Sequence, residues 1–168
     1  MNTQKADKGY DIVPASLDDV PGIFRLLQFY SDQEVLLPRP ESDIYRSLRD
    51  FRVIRRDQTV IACVALLIYT EELGEVRSLA VDPEYLNCRL GYRLVQHIEN
   101  EAQRLGLKKL MALTYVEDFF RKLDFNVVKM SVLPEKVWGA CINCHKFRNC
   151  DEIAVLKYIN QKKTPKEN

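Results

Sequence analysis

Three stretches of this chain carry residue types that could do chemistry. The first runs from Ser78-Leu79-Ala80-Val81-Asp82-Pro83 through Glu84-Tyr85-Leu86-Asn87-Cys88-Arg89-Leu90-Gly91-Tyr92 to Val95. It reads as a strand end, a tight loop and the start of an amphipathic helix. A helix N-terminus exposes unpaired N–H groups and a partial positive charge, which suits a pyrophosphate without further side-chain help. Gly91 would let backbone approach a phosphate closely. The same pattern also makes a plain strand-to-helix turn. The second stretch is Leu37-Pro38-Arg39-Pro40. Arg offers a bidentate fork to a carboxylate, and two flanking prolines lower the entropy lost in holding it; a solvated Arg is the alternative. The third is Cys141, Cys144 and Cys150, spaced C-x2-C-x5-C. Structural zinc takes four ligands, and a fourth from His145 is strained by its adjacency to Cys144. The expectation is therefore no metal, with a three-Cys metal site as the alternative beside thiols that pack a loop.

Glu75 opens a strand, and a carboxylate there is the right kind of group to act as a general base. A surface Glu paired with Arg77 is the competing reading. Arg77 and Ser78 are further polar candidates on the same strand.

The elements that must position these groups follow from periodicity. Tyr10 to Pro14 reads as a strand. Ser16 to Asp19 reads as a weak capping box that opens a helix with Val20, Ile23, Phe24 and Leu27 at helical spacing. Pro38 to Pro40 is extended, and a short helix covers about 42–49. Strands over 51–55 and 59–69 flank the polar turn Arg56-Asp57-Gln58. Gly74 reads as a separator before a strand over 75–81. A helix over about 90–105 ends at Gly106. A strand over 109–113, a capping box at Thr114 to Glu117 with a short helix, and strands over 124–130 and 153–158 complete the order. A strand–helix–strand crossover demands a parallel pair, while the hairpins are antiparallel. The fold class is α/β, a mixed central sheet with helices on both faces.

Composition sets limits. With 168 residues, 46% hydrophobic and 29% charged, the chain reads as one globular domain over 10–160, with disordered tails at 1–9 and 161–168. Twenty-five Lys and Arg against 24 Asp and Glu give a net charge of +1, which offers no bulk attraction to nucleic acid. No apolar run approaches a membrane span, and the first residues lack the apolar core of a signal peptide. The expectation is a soluble, cytoplasmic protein with reduced cysteines.

The first stretch resembles the GNAT N-acetyltransferases, whose signature is Val-x-Pro, then Arg/Gln-x-x-Gly-x-Gly/Ala, then a helix. Val81-Asp82-Pro83 and Gly91 match; Leu86 and Arg89 replace the Arg/Gln and the first Gly. Asn87 can adopt a left-handed turn there, and Arg89 could supply charge in place of backbone contact. The resemblance implies a GNAT fold and acetyl-CoA as cosubstrate, bound by Leu79, Ala80, Val81, Leu86, Asn87, Cys88, Arg89, Leu90, Gly91 and Tyr92. Phe119-Phe120-Arg121-Lys122-Leu123-Asp124-Phe125 is similar to the end of the last GNAT helix, with Phe120 where a Tyr acid is usual. Leu133-Pro134-Glu135-Lys136-Val137-Trp138 and the Cys-containing segment, 133–152 in all, further resemble short, single-domain bacterial N-acetylglutamate synthases. That likeness implies Glu75 as catalytic base and Arg39 as the contact to a substrate carboxylate, with Arg77 and Ser78 beside it. It also implies L-glutamate as acceptor, arginine biosynthesis as setting, and direct attack of the amine on the thioester. Lys136 enters only by its place in the motif, and Trp138 as a loop anchor. The alternatives are another small amine or amino acid as acceptor, or a non-catalytic ligand-sensing subunit. Partners are small molecules, with a homodimer admitted and neither nucleic acid nor membrane expected.

Overall fold

The computed structural model describes residues 10–139 and 141–160. The expected tails, 1–9 and 161–168, and the side chain of Trp138 lie outside what is described. The chain divides into two compact units: one runs to Leu67 and resumes over Val76–Ile98, and the other holds Ile68–Glu75 and everything from Glu99.

In unit one, strands β1 (Ile12–Pro14), β2 (Phe51–Arg56) and β3 (Thr59–Ile68) form an antiparallel set. The β2–β3 hairpin turns on Asp57 and Gln58, both left-handed at φ 48° and 66°. Two positive φ values make a turn whose twist matches the strands. Ser16 to Asp19 forms a single 3-10 turn rather than the first turn of helix α1 (Val20–Asp32). The Asp19 carboxylate accepts from Ser16 N at 2.6 Å and Ser16 Oγ at 2.9 Å. Helix α2 (Glu41–Arg46) follows the Pro-held segment. Ile23, Leu26, Leu27, Ile44, Phe51, Val53, Val60 and Cys63 are buried together. The spacing read from sequence therefore delivers one apolar stripe to one core.

Strand β4 (Leu73–Val81) gives Val76–Val81 to unit one. Gly74 does not separate strands: it sits inside β4, where Leu73, Gly74 and Glu75 pair in parallel with Lys109, Leu110 and Met111 of β5 (Lys109–Thr114). The turn that precedes β4 is instead closed by Tyr69 N and Thr70 Oγ1, bonded to Leu73 O and Leu73 N. Helix α3 (Leu90–Leu105) matches its expected bounds, with Leu90, Leu94, Val95, Ile98 and Ala102 fully buried and Gly106 at φ 87° behind it.

In unit two, β7 (Ile153–Tyr158) runs antiparallel to β5 and also to β6 (Asn126–Val128), so the last strand inserts between two earlier ones. The strand order is β1-β2-β3-β4-β5-β7-β6. Thr114 does not cap helix α4 (Glu117–Arg121) through a capping box. Its Oγ1 accepts from Val116 N at 2.9 Å, a local turn that competes with the cap. Helix α5 (Pro134–Gly139) was not foreseen from periodicity, because six residues hold too few turns to show one.

Candidate active site

In unit one, β4 is broken by Ser78, whose φ of 54° is left-handed inside an extended run. The Ser78 carbonyl accepts from Cys63 Sγ at 3.5 Å. Burial pushes the Cys63 thiol up to about 12, and the Ala80 N–H, turned toward the sulfur, only partly offsets this. The Ala80 amide is therefore engaged within the unit. Val81 O accepts from Tyr30 O–H at 2.5 Å. Asp82 then ends the strand: its N–H reaches Ile61 O, its Oδ1 accepts from Glu84 N at 3.1 Å, and Arg25 pairs with it at 3.2 Å.

The loop Pro83–Cys88 is a 3-10 run, and the residue that reverses the backbone into α3 is Arg89, at φ 55°. Asn87 is not the left-handed residue. The reversal falls where the 3-10 run hands over to the helix, and a non-glycine pays of order 1–2 kcal/mol to adopt it. Leu86, Asn87 and Arg89 are exposed, and the Arg89 guanidinium lies 5.6 Å from the Tyr92 ring. Gly91 is in the first turn of α3. An exposed cation beside the free N–H groups of a sixteen-residue helix fits a diphosphate.

Arg39 is half-buried, not solvated. It donates to Ser78 Oγ at 2.6 Å and to Ser47 Oγ at 2.7 Å, and lies 5.0 Å from the Phe51 ring. Ser47 in turn donates to Asp43 O. Burial, then the nearby charge of Arg77, press the guanidinium below its usual value. Arg39 and Arg77 thus make a locally positive region, in which Arg39 is bonded to two hydroxyls and feels the more distant carboxylates of Asp43 and Asp50. Ser47 was invisible to sequence reading, since only the fold brings α2's end to Arg39.

In unit two, Glu75 is neither on the surface nor paired with Arg77. It is 3% exposed, and its two oxygens take Lys136 Nζ at 3.0 and 2.9 Å. Tyr69 O–H donates to Glu75 Oε2 at 2.6 Å and accepts from Lys136 Nζ at 3.0 Å. Tyr69 was missed entirely; its signal was six-residue spacing from Glu75 across a tight turn. Phe120 is a core residue, 4% exposed and edge-on to Phe119 and Phe125 at 5.2 and 5.3 Å, so it donates no proton. Cys141, Cys144 and Cys150 are free thiols. Among the described residues no group of three His, Cys, Asp or Glu could hold a metal ion, and no helix is long and apolar enough to cross a membrane.

The acetyltransferase (GNAT) family pattern matches residues 22–125, which takes in the strand, loop and helix just described. The chain belongs to the GNAT acetyltransferase family. It is 35% identical over 145 residues to an uncharacterised N-acetyltransferase of Chlorobaculum tepidum, spanning 86% of this chain and 94% of that protein. It is also 34% identical over 124 residues to the amino-acid acetyltransferase of Edwardsiella ictaluri, spanning 73% of this chain but 28% of that protein. The structure superposes on an N-acetylglutamate synthase from Neisseria gonorrhoeae, complexed with coenzyme A and N-acetyl-glutamate. The TM-score is 0.80 and the identity 21%, over 92% of this chain and 36% of that one. The GNAT fold is thus established, and the protein is an N-acetyltransferase with acetyl-CoA as its cosubstrate.

Proposed function

We propose that this GNAT enzyme acetylates the α-amino group of an amino acid, with L-glutamate as the acceptor and arginine biosynthesis as its setting. The observation that carries the reading is Arg39. A guanidinium pinned by Ser47 and Ser78 beside a second Arg suits an acceptor with a carboxylate and is wasted on a cationic or neutral amine. The names of the curated relatives and of the superposed synthase support the same class.

In this reading 10–160 works as one N-acetyltransferase domain with a Cys-containing segment at 133–152. Residues 86–92 hold the cosubstrate's diphosphate, Arg89 adding charge to the helix N-terminus. Amides of Leu79 and Val81 polarise the thioester carbonyl, and Ala80, whose N–H serves Cys63, supports them. Glu75 takes a proton from the acceptor ammonium, directly or through water. The neutral amine attacks the thioester carbon, the C–S bond breaks, and CoA departs as thiolate; the nitrogen's surplus proton leaves to the thiolate through solvent. Arg39, with Arg77 and Ser78, holds a carboxylate of the acceptor.

The test is CoA release from acetyl-CoA with each of the twenty amino acids and a set of simple amines, with the product identified by mass. The reading expects L-glutamate at the head of the series. Turnover confined to amines without a carboxylate would overturn it.

A further inference from the structure

Unit two spends a buried ion pair where apolar side chains would pack at least as well. Lys136 is 4% exposed, reaches both oxygens of Glu75 and, with its ammonium 5.5 Å from the Tyr69 ring, closes a three-residue cluster. Lys136 is placed there by α5, which begins at Pro134; Glu75 is fixed by its β4 pairing with Met111. Both carboxylate oxygens are engaged and shielded from solvent. In this arrangement Glu75 meets no incoming amine until Lys136 lets go. Lys136 in turn leaves a buried carboxylate only at great cost unless another anion receives it.

We propose that the acceptor enters by charge exchange: its ammonium takes the place of Lys136 at Glu75, while its α-carboxylate takes the Lys136 ammonium. An α-amino acid carries the two charges on one carbon, which matches a pair in direct contact at 2.9 Å. A proton then passes from the acceptor nitrogen to a Glu75 oxygen, leaving a neutral amine and a carboxylic acid, and Lys136 stays charged throughout. A simple amine cannot open the pair, because it offers Lys136 nothing. Specificity for amino acids is thereby built into the access to the base. The half-buried carboxyl of Glu152, pushed up by burial, feels both charges of the pair. This inference rests on the proposed reaction and names the part of the acceptor that Lys136 reads.

The experiment is steady-state kinetics of the full chain with L-glutamate and with 4-aminobutyrate, which lacks the α-carboxylate. Wild type should favour glutamate in kcat/KM by about a hundredfold or more, roughly two decades of differential transition-state binding. Lys136→Gln keeps a donor to Glu75 but removes the charge. It should raise the glutamate KM at least about tenfold, raise kcat/KM for 4-aminobutyrate, and leave the acetyl-CoA KM constant. Lys136→Arg should keep the preference. Equal losses on both acceptors would show a merely structural lysine and overturn the proposal, as would a wild type indifferent to the α-carboxylate. Should Lys136→Gln fail to fold, the wild type solved with CoA and glutamate decides: separation of Lys136 Nζ from Glu75 beyond hydrogen-bond reach is expected, and an intact pair overturns it. Absence of turnover with every amino acid would instead defeat the proposed reaction itself.

Discussion

Arg39 in unit one and Glu75 in unit two are both charged groups withdrawn from water, but their surroundings differ in kind. Arg39 is held by two serine hydroxyls and a phenyl ring, beside a second guanidinium. Glu75 is closed on an ammonium and a phenol. Hydroxyls orient a cation without neutralising it, so the Arg39 region keeps an appetite for an anion. An ion pair satisfies itself, so the Glu75 region takes a ligand only by replacing a partner. The difference separates a site that attracts from a site that must be opened; in the proposed reaction the first orients the acceptor and the second controls the base.

The largest expected effect is on stability. Lys136→Met strands the Glu75 carboxylate and should cost about 3–5 kcal/mol in denaturant unfolding, whereas the double variant Glu75→Gln with Lys136→Met should return to within about 1 kcal/mol of wild type. Additive losses would mean that the two side chains do not act as a pair.

Unit one can pair an Arg with a carboxylate when it needs to, and Asp19 sharpens the contrast. Asp19 is 4% exposed and takes Arg55 Nε at 2.6 Å, with a second bond from Arg55 Nη2. Burial alone would push its carboxyl up, but the hydrogen bonds from Arg55 and Ser16 and the Arg55 charge outweigh burial and hold it below its ordinary 3.8. A depressed carboxyl contributes stability above its unfolded value and loses it as pH falls through the folded one. Asp19→Asn should therefore cost about 1–3 kcal/mol at neutral pH, and the difference from wild type should shrink as pH falls below about 4. A gap that persists at pH 2 would assign Asp19 a packing role instead.

The smallest effect concerns Arg89, an exposed cation of unit one. Arg89→Gly with Leu86→Gln restores the family's loop residues and relieves the left-handed arginine, so the melting point should hold or rise by an amount worth up to about 1 kcal/mol. The acetyl-CoA KM should stay level or fall a few-fold. A KM raised more than about tenfold would make the Arg89 charge indispensable to diphosphate binding.

How much of this was legible in the sequence depended on range. Helix α3 and its Gly106 stop, the β2–β3 hairpin and the parallel β4–β5 crossover followed from periodicity and local chemistry, because neighbours in sequence decide them. The insertion of β7 between β5 and β6 is a long-range pairing that no local signal records. At the candidate site, the Pro-Arg-Pro segment and the strand–loop–helix were readable as types. What they touch was not: Arg39 met Ser47 and Ser78, and Glu75 met Lys136 rather than its near neighbour Arg77, because the partner comes from 61 positions away. Arg89 as the left-handed residue was missed because Asn is the better left-handed former by type, while the fold sets the reversal by position.

The reading of Arg39 is tested most directly by Arg39→Lys, which keeps the charge and loses the planar fork. Losing a bidentate, charge-assisted contact should cost roughly 1.5–3 kcal/mol. That is about ten- to a hundredfold in kcat/KM for L-glutamate, with the acetyl-CoA KM nearly constant. Glutamate kinetics left untouched, or both substrates damaged equally, would contradict Arg39 as the carboxylate clamp and remove the main physical support for an amino-acid acceptor.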